Sequence, residues 1–360
     1  MIVCNLPYVT LLQSGAGAVP APHYLTSVPE KLLWGLLPNA VTPAVLTVGS
    51  GEAVCIDTVS HEGILPDQGR DPVAFFGSYG IPRDLVLDDA IAVAAELTHD
   101  PAAGPHVVTG PIAVRGARPG DVLEVEVLAL DRRAPYGIIS NRHGKGALPG
   151  EMPAGDGPVS VLARTDGELG SIDVGDGRAI RFPLAPFLGI MGVAPATADA
   201  VHSVPPGRHG GNHDVNLFGV GSRMFLPVQV DRAMFYVSDP HFSQGDGEVA
   251  LTAFEAPLRA TVRLTVHSDP AIRRMAASLT APWGQTDGQY VVMGLDPSLD
   301  AAMRDATRNA IAFLGLKFAL PAPIALAYLS AAGDFEVSQV VDGVKGIHCS
   351  LRRTDLDPLS

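Results

Sequence analysis

The 360-residue chain is short of cysteine and of positive charge. Cys4, Cys55 and Cys349 are odd in number and far apart, so they offer neither a secreted disulfide framework nor a clustered zinc motif. Each reads as a small buried hydrophobe. Twenty-five Lys plus Arg stand against 38 Asp plus Glu, a formal net charge of −13. That balance repels phosphate backbones and anionic lipid, which argues against nucleic-acid and membrane partners. No Lys or Arg precedes Lys31, and Asn5, Pro7 and Gln13 interrupt the early apolar residues. The basic start and clean apolar stretch of a signal peptide are therefore missing, and a cytoplasmic location is expected. Residues 310–332 carry one charge, Lys317, but Pro321 and Pro323 divide them, so they read as a buried helix pair and not as a span. A Gly-x-Ser-x-Gly elbow is absent, no Ser–Lys amidase pairing is visible, and the Gly-x-Gly pieces lack the strand–glycine–helix context of a dinucleotide or phosphate loop.

What is present is apolar residues, glycine and proline. A composition 47% hydrophobic and 18% charged belongs to a well-buried globular chain, and its length predicts about two domains. Thirty-nine Gly and 31 Pro suit many short strands joined by tight turns. Strands are predicted near residues 44–48, 53–58, 112–114, 122–128, 160–163, 179–182, 224–230, 233–237, 248–255, 260–266, 335–341 and 346–351. Helices are predicted from Asp88 or Asp89 to about Leu97, after an Asp269 cap, and after a Ser298 cap. A soft boundary near 185 separates a β-rich N-terminal domain, 1–185, from an α+β C-terminal domain, 186–360. The class expected is α+β, mainly β. A homo-oligomer is expected, of no specified order.

The densest polar constellation is Ser238-Asp239-Pro240-His241-Phe242-Ser243-Gln244-Gly245-Asp246-Gly247-Glu248. On an extended chain Asp239 and His241 project to one side, as do Asp246 and Glu248 on a returning arm. Carboxylates beside an imidazole suit zinc or a similar divalent ion, with a spare carboxylate as general base. The commoner reading of such a short pattern is an acidic, glycine-rich surface turn. A second group runs from His202 to Asp214: His209 is a candidate ligand or polarising group, and Asn212 offers paired donor and acceptor contacts to a carboxamide. Asp57-Thr58-Val59-Ser60-His61-Glu62 forms a third, weaker group. The segment Asn141-Arg142-His143-Gly144-Lys145-Gly146 reads as a solvated loop, with anion binding as its alternative.

Taken in order and at their intervals, Gly210-Gly211-Asn212-His213-Asp214, Leu226-Pro227-Val228 and Asp239-x-His241-x-x-Gln244-Gly245-Asp246-Gly247-Glu248 resemble the acetamidase/formamidase family. Supporting pieces are Gly104-Pro105-His106-x-x-Thr109-Gly110-Pro111, Gly116-Ala117-x-Pro119-Gly120-Asp121-x-Leu123 and Val340-Val341-Asp342-x-x-x-Gly346-Ile347-His348. The resemblance implies a bowl-like β-sandwich or barrel with a few helices in the C-terminal half. It further implies hydrolysis of small carboxamides to acid and ammonia, and a divalent metal, zinc first. Carried over, the shared polar positions are Asn212, Asp214, Asp239, His241, Gln244, Asp246 and Glu248, with Asp57 where the family usually shows Glu. Asp214, Asp239 and His241 are then assigned as metal ligands with Asp57 and His61 next, and Glu248 as proton shuttle. Asn212, Gln244, Asp246 and His209 stand as further catalytic candidates. Spacing leaves open which acid faces metal and which faces substrate. Pro240 and Phe242 depart from the family pattern, and Phe242 is expected to form a bulkier pocket wall. Two rivals remain: a calcium-binding β-sandwich module, and a metal-free amidase using Asp246 and Glu248 as an acid–base pair.

Overall fold

The computed structural model describes residues 11–359, so Cys4 lies outside the described residues; Cys55 and Cys349 are buried and free. Alternation in Leu258–His267 sends Ala260, Val262 and Leu264 into the core, and this strand pairs with Glu52–Asp57 on one side and Val122–Arg132 on the other. They form the centre of a nine-stranded sheet that continues through Arg223–Pro227, Trp283–Gln285, Gln289–Asp296, Lys345–Arg352 and Asp334–Gln339, with His23–Leu25 at the opposite edge. A six-stranded sheet has Phe235–His241 between Phe187–Val193 and Val107–Val114, and a third sheet of four strands ends in Tyr136–Asn141. All these sheets are open, so the architecture is layered and not a closed barrel. Both large sheets take strands from either side of residue 185. The main core includes Val125, Val262, Leu226, Phe235, Val237 and Phe254, all at most 1% exposed.

Tyr136–Asn141, Leu169–Gly175 and Gln289–Asp296 are further strands not expected from the sequence, and two other segments differ. Phe187–Val193 is a fully buried strand that the sequence pattern did not reveal, because Gly189 and Gly192 interrupt its apolar run. The strand expected at 248–255 is irregular: Glu248 (φ 47°) and Leu251 (φ 129°) leave the extended region, and the turns are closed by Glu248 N–H to Gly245 O and Leu251 N–H to Glu248 O.

Capping chemistry sets only some helix starts: Asp88–Glu96 begins after Leu87 with no side-chain cap, so Asp88 and Asp89 lie in its first turn and do not cap it. Asp269 accepts from the backbone N–H groups of Ala271 and Ile272 ahead of Pro270–Ser278. Ser298 precedes Leu299–Phe318 but makes no side-chain cap bond. The chain then bends by 116° into Ala322–Ala332. Leu299–Phe318 buries Ala306, Ala310, Phe313 and Leu314. The second helix buries Ala325 and Leu329 and leaves Ile324 and Leu326 about half exposed, so only the first member is the buried helix expected. No single helix among the described residues is long and apolar enough to cross a membrane.

The ladder register also decides the fate of Asp57. Arg259 lies directly opposite it on the neighbouring strand, its Nε 2.6 Å from Asp57 Oδ1, and both side chains are fully buried. Tyr24 OH and Arg133 complete the network, while Arg259 also donates to the carbonyls of Gln13, Ala16 and Ala18. Asp57 is thus an ion-pair partner that ties residues 13–18 to the sheet, and it lies outside the pocket described below. This corrects its assignment as a ligand. Removing one member of a buried pair strands the other charge, which costs about 3–5 kcal/mol. Asp57→Ala should lower stability in urea by that order while leaving metal stoichiometry intact; wild-type stability with lost metal would return Asp57 to the ligand set.

Candidate active site

The site is built on one ladder of the six-stranded sheet. Phe187 pairs with His241, Leu188 with Pro240 and Ile190 with Ser238, an unbroken register that sets Gly189 opposite Asp239, where the ladder makes no pair. Asp239 takes the left-handed φ of 55°, and its carboxylate comes beside His241, Oδ2 to Nε2 3.2 Å. The glycine opposite is required. A Cβ on Gly189 would lie under 3.0 Å from Asp214 Oδ1, Asp239 Oδ2 and His241 Cε1. Its carbonyl accepts from His213 N–H at 3.1 Å and Asp214 N–H at 3.3 Å, which hangs the Asn212–Asp214 turn on the same residue. Asp214 (φ 46°) and Glu248 (φ 47°) are left-handed too. Such non-glycine conformations cost on the order of 1–3 kcal/mol each and persist where the surroundings over-determine them. Three of them fall on three acids of one pocket, which makes it the candidate functional site.

Asp214, Asp239 and Glu248 line a cavity of about 730 Å³ with Asn212, His61, His106, Glu255 and Asp342, and His241 lies buried behind them. His61 Nδ1 is 3.6 Å from Asp239 Oδ1 and 3.9 Å from Glu255 Oε2; His106 Nε2 is 3.7 Å from Asp239 Oδ1; His241 Nε2 is 3.0 Å from Glu255 Oε1. Ser203 Oγ pairs with His106 Nδ1 at 2.9 Å and so turns Nε2 toward Asp239. Phe187 packs edge-on against the His241 ring. Three overlapping donor groups result: His61, His106 and Asp239; Asp239, His241 and Glu255; and Asp214, His241 and Glu248. His61 Nδ1, Asp239 Oδ1, both Asp214 oxygens, Glu248 Oε2 and Glu255 Oε2 are buried without a hydrogen bond. Buried acceptors are ordinarily satisfied, so this density of orphans fits a cation.

Of the residues singled out from sequence, His61, Asn212, Asp214, Asp239, His241 and Glu248 come together here. Others do not. Gln244 stands behind Asp214, donating to the carbonyls of Asp214 and Ser338 at 3.0 and 3.1 Å. Asp246 points outward, exposed, and accepts from Asn216 Nδ2, because the turn at Gly245 and Gly247 reverses the chain before Glu248. The acid–base pair of Asp246 with Glu248 is therefore not formed. His209 is half-buried against Gly207 and Gly211 and does not line the cavity; burial pulls its pKa down to about 4. Phe242 is fully buried against Phe254 in the core, so it is no pocket wall.

Glu255 and His106 were missed as site residues. Glu255 is an acid isolated in an apolar segment, brought in by backbone bridges to Ile138 and His241. His106 immediately precedes the buried strand Val107–Val114. A lone acid or imidazole between apolar residues was the available signal.

Electrostatics follow from burial. Desolvation, then the Asp239 charge, pushes Asp214 up to about 7; desolvation raises Glu255 to about 8 and Glu248 and Asp342 well above the carboxylate range. Burial opposes charge on Asp239 as well, but His241, His106 and His61 around it hold it down. Burial likewise disfavours the charged His241, yet Glu255 and Asp239 raise it well above its ordinary value. Desolvation lowers His61 and His106, and lowers His213 to about 3.

Between about pH 6.5 and 8, His61, His106, His209 and His213 are neutral in the fold while the unfolded chain sheds its last imidazole protons, an opposing contribution that fades by about pH 7.5; Asp239 is ionised in both states. Glu255, Glu248, Asp342 and His241, with Asp214 up to about pH 7, hold protons in the fold that the unfolded chain gives up, and these outnumber the opposing groups, so stability falls as pH rises. The slope is on the order of 1.4 kcal/mol per pH unit for each proton so held. Metal-free protein should therefore show a falling Tm from pH 6.5 to 8, and protein loaded with a divalent cation a flatter profile. Parallel profiles for the two forms would count against a cation in this pocket.

The fold and site together define a β-rich protein with a buried histidine–carboxylate pocket of metal-binding composition. The chain belongs to the acetamidase/formamidase family, whose sequence profile matches residues 92–198 and 196–345. It is 29% identical over 198 residues to the acetamidase of Mycolicibacterium smegmatis, covering 40% of this chain and 49% of that protein. It is 27% identical over 191 residues to the formamidase of Methylophilus methylotrophus, covering 40% and 47%. The matched segment thus spans about half the length of these curated relatives. The crystal structure of acetamidase from Bacillus halodurans superposes with a TM-score of 0.71 at 25% identity, over 94% of this chain and 99% of that one.

Proposed function

We propose that the protein is a metal-dependent amidohydrolase that cleaves small carboxamides to carboxylic acid and ammonia or amine. The observation that carries this reading is the burial of six unpaired acceptor atoms on His61, Asp214, Asp239, Glu248 and Glu255 around one cavity, in a chain of this family. His61, His106, Asp239, His241 and Glu255 have the donor chemistry to hold a divalent ion, zinc first. Such an ion supplies Lewis acidity toward a carbonyl oxygen and acidifies water.

The remaining groups do the proton work. An amide resists attack because its C–N bond is resonance-stabilised and its leaving amine is poor. Glu248, aimed into the cavity with Oε2 free, takes the proton from the attacking water and returns it to the leaving nitrogen. Burial, and after it the charge of Asp214, raises the proton affinity of Glu248. Asn212 Oδ1, buried and unpaired on the cavity wall, accepts an N–H of the substrate carboxamide and so orients it. Burial of the floor keeps these interactions in a low-dielectric setting.

The test is metal analysis of the purified protein followed by ammonia release from a panel of amides. Stoichiometric zinc with turnover supports the reading. Calcium without turnover replaces it with a binding module.

A further inference from the structure

The cavity is larger than a simple amide needs. At roughly the 30 Å³ per heavy atom that water occupies in the liquid, an amide of three or four heavy atoms fills on the order of a sixth of its 730 Å³. The chain has four lysines, and two of them, Lys145 and Lys345, line this one cavity. Of the other two, Lys31 donates to Thr26 and Lys317 lies over the Tyr290 and Phe318 rings. Among the described residues, no lysine has a carboxylate within 4.0 Å, whereas Arg142 on the same wall is taken up by Asp67 and by Glu62 at 3.2 Å.

Both lysine-bearing loops are tied to the turn that carries Glu248. Ala147 N–H donates to Val249 O at 2.9 Å, and a Cβ on Gly146 would crowd Ala250 O, so the Lys145 loop lies directly on that turn. Gly247 N–H donates to Ser338 O and Val340 N–H to Gly247 O, while Gln339 Nε2 holds the Val344 carbonyl beside Lys345. Two ammonium groups without a carboxylate partner thus line the cavity of the proposed proton shuttle, on segments tied to its turn, in a chain of net charge −13.

We propose that the site takes half-amides of dicarboxylic acids, whose distal carboxylate Lys145 and Lys345 receive while the carboxamide sits among Glu248, Asp239 and Asn212. This rests on amide hydrolysis in the same pocket. Water oxygen bonds to the carbonyl carbon, the C–N bond breaks, the nitrogen takes the proton and leaves as ammonia, and a dicarboxylate remains. A single carboxylate is favoured over a dianionic phosphate because the cavity already carries several acids, which repel a second negative charge.

The test compares metal-loaded full-length protein on succinamate and on 4-oxopentanamide, a neutral amide with the same number of heavy atoms. The parent should favour succinamate at least tenfold in kcat/KM, through KM, and the preference should shrink with added salt. In Lys145→Ala/Lys345→Ala the ratio should fall at least tenfold; lysines that merely offset the acidic floor would shift both amides together. A ratio near one in the parent, or one unchanged in the double variant, overturns the proposal. A stronger preference for 3-phosphonopropanamide overturns the choice of carboxylate. Should no amide be turned over, the hydrolase reading fails separately, and calorimetric Kd values decide this one: succinamate binding weakened tenfold in the double variant supports the anion subsite, and equal Kd values overturn it.

Discussion

Glu248→Gln should fold, retain its metal content and lose about 10²–10⁴-fold in kcat, the usual contribution of a general acid–base group. The amide keeps the shape of the side chain but cannot take and return a proton. Glu248 is the acid to test because it is 7% exposed, lines the cavity and has an unpaired Oε2, whereas the neighbouring Asp246 faces solvent. Its left-handed backbone also places it where an ordinary turn would not. The decisive measurements are single-turnover rates on an accepted amide together with metal stoichiometry. Near-normal turnover would move the shuttle role to Asp214, the acid that burial sets at about 7.

Gly189→Ala should remove activity at least as thoroughly, by a different route. One methyl group there enters the space between Asp214, Asp239 and His241, and all three are held on buried backbone with little room to retreat. Overpacking of this kind costs roughly 1–3 kcal/mol, and a displacement of about 1 Å at a reacting centre costs on the order of 10²-fold. The expected result is a folded protein with kcat/KM reduced at least 10²-fold and weakened metal retention. Gly288→Ala, where an added Cβ meets nothing within 4 Å, is the control and should behave like the parent. A fully active Gly189→Ala would show that the pocket floor adapts and that its register is not critical.

The two variants divide what could be read in advance from what could not. Asp239-x-His241, Asn212-x-Asp214 and the Gln-Gly-Asp-Gly-Glu run ending at Glu248 are local patterns, dense enough in polar groups to be noticed in one dimension. Alternation exposed the strand Leu258–His267, and a capping aspartate with a following proline exposed the start of Pro270–Ser278. Short-range physics governs all of these, since pleat, cap and turn involve residues a few positions apart.

Pairing partners are long-range, and there the sequence was silent. Whether Asp57 faces a cavity or an arginine depends on the register that sets it opposite Arg259, 202 residues away. Glu255 becomes a neighbour of His241 through a backbone bridge, and Gly189 becomes indispensable through the register that sets it opposite Asp239. Phe242, in the middle of the polar constellation, turns into the core because the residue after a strand end follows the sheet and not the motif. Composition, turn chemistry and the polar motifs were thus determined by the chain itself. Which acids share a cavity, and which are spent on structural pairs, was decided by tertiary packing, because burial and charge proximity act through space and leave no fixed spacing in the sequence.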